Sequence, residues 1–216
     1  MNALPQNSQP PRSSHCSCPP PSKPVSAASG PGSLWDTASL ISLVCSRAAV
    51  KHVRGRGTLR DPGWASAIPS ELRRLHSLDP PTAHAGQAHR LAVSWLGDPI
   101  RELPEEIDTI WDLRDRIAAG TGHPDEHLGE AQSIVVARRL DAVLISEDAG
   151  ARAEARVEKV RALSLYGMLG VHLQRGLLTP EVAATIVADL HGSGRGPRQV
   201  SLHLRSLIAT GHVMTE

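Results

Sequence analysis

The chain has 216 residues, 40% of them apolar, and a formal net charge of +1. That is material for one ordinary domain plus a tail, and the near-neutral balance supplies no global field for nucleic acid, so any polyanion contact must come from a local patch. No run reaches the ~18 apolar residues of a membrane span, the cysteines Cys16, Cys18 and Cys45 form no CxxC pair or zinc array, and the first residues lack the basic start and apolar centre of a secretory signal.

These absences make the cytoplasm the expected location, and the sparse cysteines suit a reducing compartment. Residues 1–32 read as a Pro/Ser-rich tail around Pro19-Pro20-Pro21, too poor in apolar surface to offset the entropy of ordering. The folded part is expected over 33–216. Leu34-Trp35 reads as the end of a first strand, and Ala38–Val50 as a helix with Leu40, Ile41, Leu43 and Val44 on its apolar side. A basic, glycine-containing loop follows, with Lys51, Arg54, Arg56 and Arg60 as candidate nucleic-acid contacts. Pro69 suits the first turn of a helix running to His76, and a second helix is expected over His84–Leu96.

Ile100–Leu103 reads as a short strand. Pro104–Ala119 reads as a helix with Ile107, Ile110, Trp111 and Ile117 inward. The spacing predicts a further helix over Leu128–Leu140. Ala142–Ile145 is a continuous apolar run of the kind found in a parallel strand buried on both faces. Asp148–Val157 reads as helical, and Arg161–Leu165 as a last strand or a helix start. Helices over Leu169–Arg175, Pro180–His191 and Val200–Ile208 complete a helical C-terminal part. Strands alternating with helices give an α/β domain with a mostly parallel sheet. No GxGxxG or P-loop follows a strand.

Four carboxylates sit at informative places. Asp36 and Asp148 follow predicted strands, and Glu71 and Glu130 fall in the first turns of helices. In an open α/β sheet the carboxyl ends of the strands border the functional crevice, so all four are expected at one edge. Clustered carboxylates repel and raise one another's pKa. A divalent cation removes that penalty, and oxygen-only ligands favour Mg²⁺ or Mn²⁺ over zinc. Asp36, Glu130 and Asp148 are the candidate metal ligands, with Glu71 as a fourth catalytic acid. Such a site suits phosphodiester hydrolysis. Each acid also has a bland role: Asp36 and Asp148 as helix N-caps, Glu130 as a partner of the helix dipole, and Glu71 as a solvated surface residue.

The segments carrying these acids resemble the PIN domain family, metal-dependent ribonucleases that include the VapC-type toxins. Asp36-Thr37-Ala38-Ser39-Leu40-Ile41 is similar to the family's opening Asp-Thr-Ser-x-Leu-Ile, and Ile68-Pro69-Ser70-Glu71-Leu72 resembles its second acidic helix start. Gly129-Glu130-Ala131-Gln132-Ser133-Ile134 is similar to its Gly-Glu-Ala-Glu-Ala-Ile helix, and Leu144–Arg152 looks like its Leu-Leu-x-Asp-Asp-x-x-Ala-Arg segment. Tyr166–Val171 and Arg175–Leu178 resemble later stretches of one branch. The resemblance implies a three-layer αβα sandwich with a central parallel sheet, Mg²⁺ or Mn²⁺ as cofactor, and endonuclease action on RNA. It also implies a toxin with an antitoxin protein as partner, and a homodimer. Two departures bear on it. Ala38 stands where the family often has Ser or Asn, and Glu147 stands for the first Asp of the Asp-Asp pair, leaving Glu147 or Asp148 as the inward acid. A PIN-like module that has lost catalysis and only binds nucleic acid or a partner is the alternative. A third reading, a phosphohydrolase of small phosphoesters, would want a DxD motif that Asp36-Thr37-Ala38 lacks.

Overall fold

In the computed structural model, residues 32–55, 61–80, 82–118 and 126–195 are described, together with 204, 205, 208 and 209. The expected tail up to residue 31, Arg56, Arg60 and most of the expected last helix lie outside the described residues.

Four parallel strands, β1 (Ser33–Trp35), β2 (Pro62–Gly63), β3 (Val143–Ile145) and β4 (Ala162–Leu163), lie in the order β2-β1-β3-β4. β1 is central: Leu34 stands opposite Gly63 on one side and Leu144 on the other. The ladder already includes Gly32, whose N–H donates to the Asp61 carbonyl and whose carbonyl accepts from Val143. Gly32, placed in the tail on composition, therefore belongs to the fold.

Because strand side chains alternate faces, the strands feed two separate cores. Trp35 and Ile145 enter one cluster, together with Leu40, Leu43, Ile68, Leu72, Leu165 and Leu169. Leu34 and Leu144 enter the other, with Ile110, Leu113, Ile134 and Val136. The first cluster draws on helices α1 (Thr37–Val44), α2 (Arg47–Val53), α3 (Ile68–Ser77), α4 (Ala85–Leu96), α8 (Leu165–Gln174) and α9 (Pro180–Gly192). The second draws on α5 (Ile107–Ala118), α6 (Leu128–Leu140) and α7 (Ala149–Val157). The result is an α/β domain, mostly helical, with helices on both faces of a parallel sheet. Among the described residues no helix is long and apolar enough to cross a membrane.

Several expectations need correction. The single helix over Ala38–Val50 is two helices, α1 and α2, broken at Cys45-Ser46. The Ser46 hydroxyl accepts from the Ala49 amide as the α2 N-cap and bonds to the Asp189 carboxylate at 2.6 Å, so it favours a fresh start over continuation. Lys51 lies in the last turn of α2 and Arg54 caps it, so neither sits in a loop. Ile100–Leu103 is no strand; only Ile100 bridges Ala65. On α5 Ile110 and Leu113 are buried and Ile117 packs partly buried against the same core, while Ile107 and Trp111 are each 44% exposed. A 3-10 turn, Pro104–Glu106, precedes α5.

One buried polar contact ties α2 to α8. His52 Nε2 and His172 Nδ1 lie 2.8 Å apart in a hydrogen bond. Burial, then the neighbouring His52 and Arg175, pushes the His172 imidazole down from 6.5 to about 4. The folded state thus declines a proton that the unfolded chain accepts, so stability present above pH 6.5 is lost as pH falls towards 4. The loss attributable to His172 is on the order of 3 kcal/mol. Denaturant titrations from pH 7 to pH 4 should show His172→Asn losing less stability than wild type over that interval; equal losses would reject the assignment.

Candidate functional site

The carboxyl ends of β1 and β3 are adjacent at the point where the chain reverses its order across the sheet, the place where open α/β sheets form their crevice. Asp36 follows β1 directly, and its N–H donates to the Ile145 carbonyl at the end of β3. Its Oδ1 accepts from the Ser39 amide at 2.7 Å as the α1 N-cap. Its Oδ2 is buried and has no hydrogen-bond partner among the described residues. Burial pushes this fully buried carboxyl up to about 6, against the pull of Ser146 and Ser39, with the charge of Glu147 raising it further.

Glu130 stands in the first turn of α6 and is 8% exposed, and its Oε2 is likewise buried without a partner. Burial first, then the charges of Glu71, Asp36 and Asp148, push its carboxyl up to about 8. All three other candidate acids thus lie near enough to repel charge on Glu130. The turn leading to it is tight, with His127 left-handed at φ 63°.

Glu71, in the first turn of α3, accepts a 2.7 Å hydrogen bond from the Thr37 hydroxyl of α1. Burial raises its carboxyl, while Thr37, Arg74 and His127 lower it. The absence of a side chain at Gly129 permits this approach: a Cβ there would stand 2.6 Å from Glu71 Oε2 and 2.8 Å from Ile68 Cδ1. Asp148 caps α7, its Oδ1 accepting from the Ala151 amide at 2.6 Å.

Both members of the Glu147-Asp148 pair face the group. Asp148 repels charge on Glu130, and Glu147 repels charge on Asp36 and on Tyr166. Glu147 also accepts from the Leu165 amide at the start of α8, at 2.6 Å. The sequence left Glu147 or Asp148 open as the inward acid, and it gave no sign of three further neighbours: the Thr37 hydroxyl, the buried Ser146, and Tyr166, whose unpartnered hydroxyl is raised to about 12 by burial and Glu147. Only hindsight about helix starts points to them, since each lies within two residues of a named acid or of the α8 N-cap Ser164.

Gln132, one turn into α6, joins the two helices that carry Glu71 and Glu130. Its carbonyl accepts from the Ala67 amide at 2.6 Å, just ahead of α3, and its amide donates to Ser66 and Glu102. This clamp fixes the start of α3 against α6.

The acids are neighbours, yet among the described residues no three His, Cys, Asp or Glu side chains are grouped as a ligand set. Asp36 and Asp148 each satisfy one oxygen on a backbone amide, and Glu71 satisfies one on the Thr37 hydroxyl. The donor chemistry still fits a hard dication. Asp36 Oδ2 and Glu130 Oε2 are buried, unpartnered carboxylate oxygens, and Mg²⁺ commonly takes one or two protein carboxylates and completes its shell with water and phosphate. Of the candidate nucleic-acid contacts, Lys51 and Arg54 are exposed at the end of α2, where cations also complement the helix dipole. No family model, curated protein or solved structure matches the chain.

Because the Asp36 carboxyl is raised, the folded state holds its proton at pH values where the unfolded chain has released it. Its stabilising contribution is present at low pH and lost as pH rises from 3.8 through about 6. Asn keeps the N-cap and removes the buried charge. In chelator at pH 8, Asp36→Asn should therefore be more stable than wild type by about 1–3 kcal/mol, with the gap closing by pH 4. Loss of stability in the variant at pH 8 would show that the carboxylate is a structural cap alone.

Proposed function

We propose that the protein is a PIN-like, divalent-cation-dependent endoribonuclease, built as a three-layer αβα sandwich and hydrolysing RNA phosphodiester bonds. The observation that carries this reading is the pair of buried, unpartnered oxygens, Asp36 Oδ2 and Glu130 Oε2, on two acids near enough to raise one another's charge cost. Asp36 and Glu130 would hold Mg²⁺ or Mn²⁺, with Asp148 as the third ligand. When bound, the cation supplies charge neutralisation at a phosphate and a water acidic enough to attack it.

The chain's own residues do the rest. The α1 cap at Ser39 fixes the Asp36 carboxylate, so little ordering is needed on binding. Glu71, its carboxyl raised by burial and held by the Thr37 hydroxyl, would act in its ionised form as the base that takes a proton from the water attacking the phosphate. Glu147, bonded to the Leu165 amide, keeps negative charge beside Asp36. The family resemblance extends the proposal to a cytoplasmic toxin that forms a homodimer and is neutralised by an antitoxin protein.

A specific pair of observations favours the second reading, a PIN-like module that binds without cutting: Ala38 lacks the hydroxyl often found at its position, and the acids are not grouped as a ligand set. Cleavage of mixed RNA in Mg²⁺ or Mn²⁺ separates the two. The nuclease reading expects metal-dependent cutting that falls at least about 100-fold in Asp36→Asn with the fold retained. Cutting in EDTA, or none with either metal, rejects it, and RNA binding indifferent to both EDTA and Asp36→Asn supports the binding module.

A further inference from the structure

On the α5–α6–α7 side several arginines are paired: Arg116 with Glu154 and Glu158, Arg138 with Glu158, and Arg139 with Glu106. Arg73 and Arg74 on α3 and Arg90 on α4 are exposed, and none forms an ion pair among the described residues. Arg73 donates only to the Ser70 hydroxyl. Between Thr37 and Leu96 the only acids are Asp61, Glu71 and Asp79, so α3 and α4 form a cationic face in a chain of near-zero net charge.

These cations also lie together and lead somewhere. Helices α3 and α4 pack directly against each other, and beyond the effect of burial Arg73, Arg90 and His76 each lower the His89 imidazole of α4. His76 packs directly over Gly86 in the first turn of α4, where an added Cβ would lie 2.8 Å from its ring. On a helix, residues three apart share a face. Arg74 therefore stands one turn from Glu71, and with His127 it opposes the rise that burial gives the Glu71 carboxyl. Arg73 lies between Arg74 and the α4 cations. A line of unpaired charge thus crosses α3 from Arg90 through Arg73 to Arg74 and ends at the acidic group.

We propose that single-stranded RNA binds along this α3–α4 track, its phosphates on Arg90, Arg73 and Arg74, so that the strand is delivered to the carboxylates at Glu71. The inference rests on the nuclease reading for what happens at the end of the track, but not for binding along it. The backbone term is electrostatic: each phosphate neutralised on a single strand contributes about 0.7 to the slope of log affinity against log salt. The track is distinct from the α2 terminus at Lys51 and Arg54, which the sequence pattern alone marks as basic.

The test is fluorescence anisotropy with a short fluorescein-labelled oligouridylate in EDTA, across a salt series, with circular dichroism as the check of fold. The triple variant Arg73→Ala, Arg74→Ala, Arg90→Ala should bind at least about 10-fold more weakly at low salt and lower the slope by about 2. Removing equal charge from the opposite face, with Arg138→Ala, Arg156→Ala and Arg161→Ala, should leave affinity and slope near wild type. The proposal is overturned if the triple variant binds like wild type, if Lys51→Ala with Arg54→Ala carries the loss instead, or if wild type binds no oligouridylate. Binding of an acidic peptide or anionic vesicles in preference to RNA would also overturn it. Binding through the track without metal-dependent cleavage would leave this inference standing and remove the nuclease reading; cleavage with an indifferent track would do the reverse.

Discussion

Like charge buried at the carboxyl edge of a parallel sheet is the constraint from which the rest of this molecule follows. Asp36 is fully buried and Glu130 nearly so, and each keeps one oxygen without a partner. A buried carboxylate costs several kcal/mol unless it is neutralised or well bonded. Both carboxyls answer in part by holding their protons to higher pH. The remainder is offset by two cores, one on each face of β1 and β3. The centre of the sheet is thus the most apolar part of the protein and also the part that carries its most unfavourable groups. Buried acids with shifted protonation at a strand end are the feature that makes this edge of the sheet the candidate site.

Convergence of the acids depends on unremarkable residues. Asp36 is set by β1 and the α1 cap, Asp148 by β3 and the α7 cap, so the sheet alone brings these two together. Glu71 and Glu130 lie on helices from opposite sides of the sheet. Gln132 ties the start of α3 to α6 through the Ala67 amide, and Gly129 leaves room for Glu71 to close on α6. The same first turn that exposes amide groups at the start of α6 also receives Glu130, which the helix dipole favours there. Two of the four acids, Asp36 and Asp148, are thus helix N-caps, and the other two, Glu71 and Glu130, stand in first turns where the helix dipole favours them.

The parts of the fold legible in the sequence are those where one signal dominates. The α6 helix has the predicted bounds because an apolar pattern runs without interruption from Leu128 to Leu140. β3 is a continuous apolar run, buried because both faces of the sheet are covered. β2 was not legible: it is two residues, Pro62 and Gly63, neither of which favours strands, and it exists because β1 offers a free edge. The α1–α2 break hides in a stretch whose periodicity is nearly helical throughout, and only the tertiary bond from Ser46 to Asp189 decides it. On α5 the apolar residues Ile107, Ile110, Trp111, Leu113 and Ile117 span an arc of about 160°, wider than the stripe that α6 covers, so the sequence alone does not say which part of it faces α6. The placement of the acids near one another was legible from strand ends and helix starts. Their separate hydrogen bonds, and the part taken by Glu147, Thr37 and Tyr166, depend on where α8 and α3 pack.

An acidic group of this kind raises a problem for any polyanionic ligand, because the site's own charge repels it. Net charge cannot solve this at +1, but distribution can. On the α5–α7 side acids and arginines cancel in pairs such as Arg116 with Glu154, which removes competing positive surface. Across α3 and α4 the arginines are left uncancelled. Helix α3 carries both polarities, Glu71 and Arg74 one turn apart on its inner flank and Arg73 on its outer one, so a single rigid element sets the distance between attraction and chemistry. Arg74 also lowers the Glu71 carboxyl that burial raises, so the same cation that would steer a phosphate inward adjusts the protonation of the acid beside it. That coupling follows from helical spacing alone, and it makes α3 the element on which recognition and reaction would have to be tuned together.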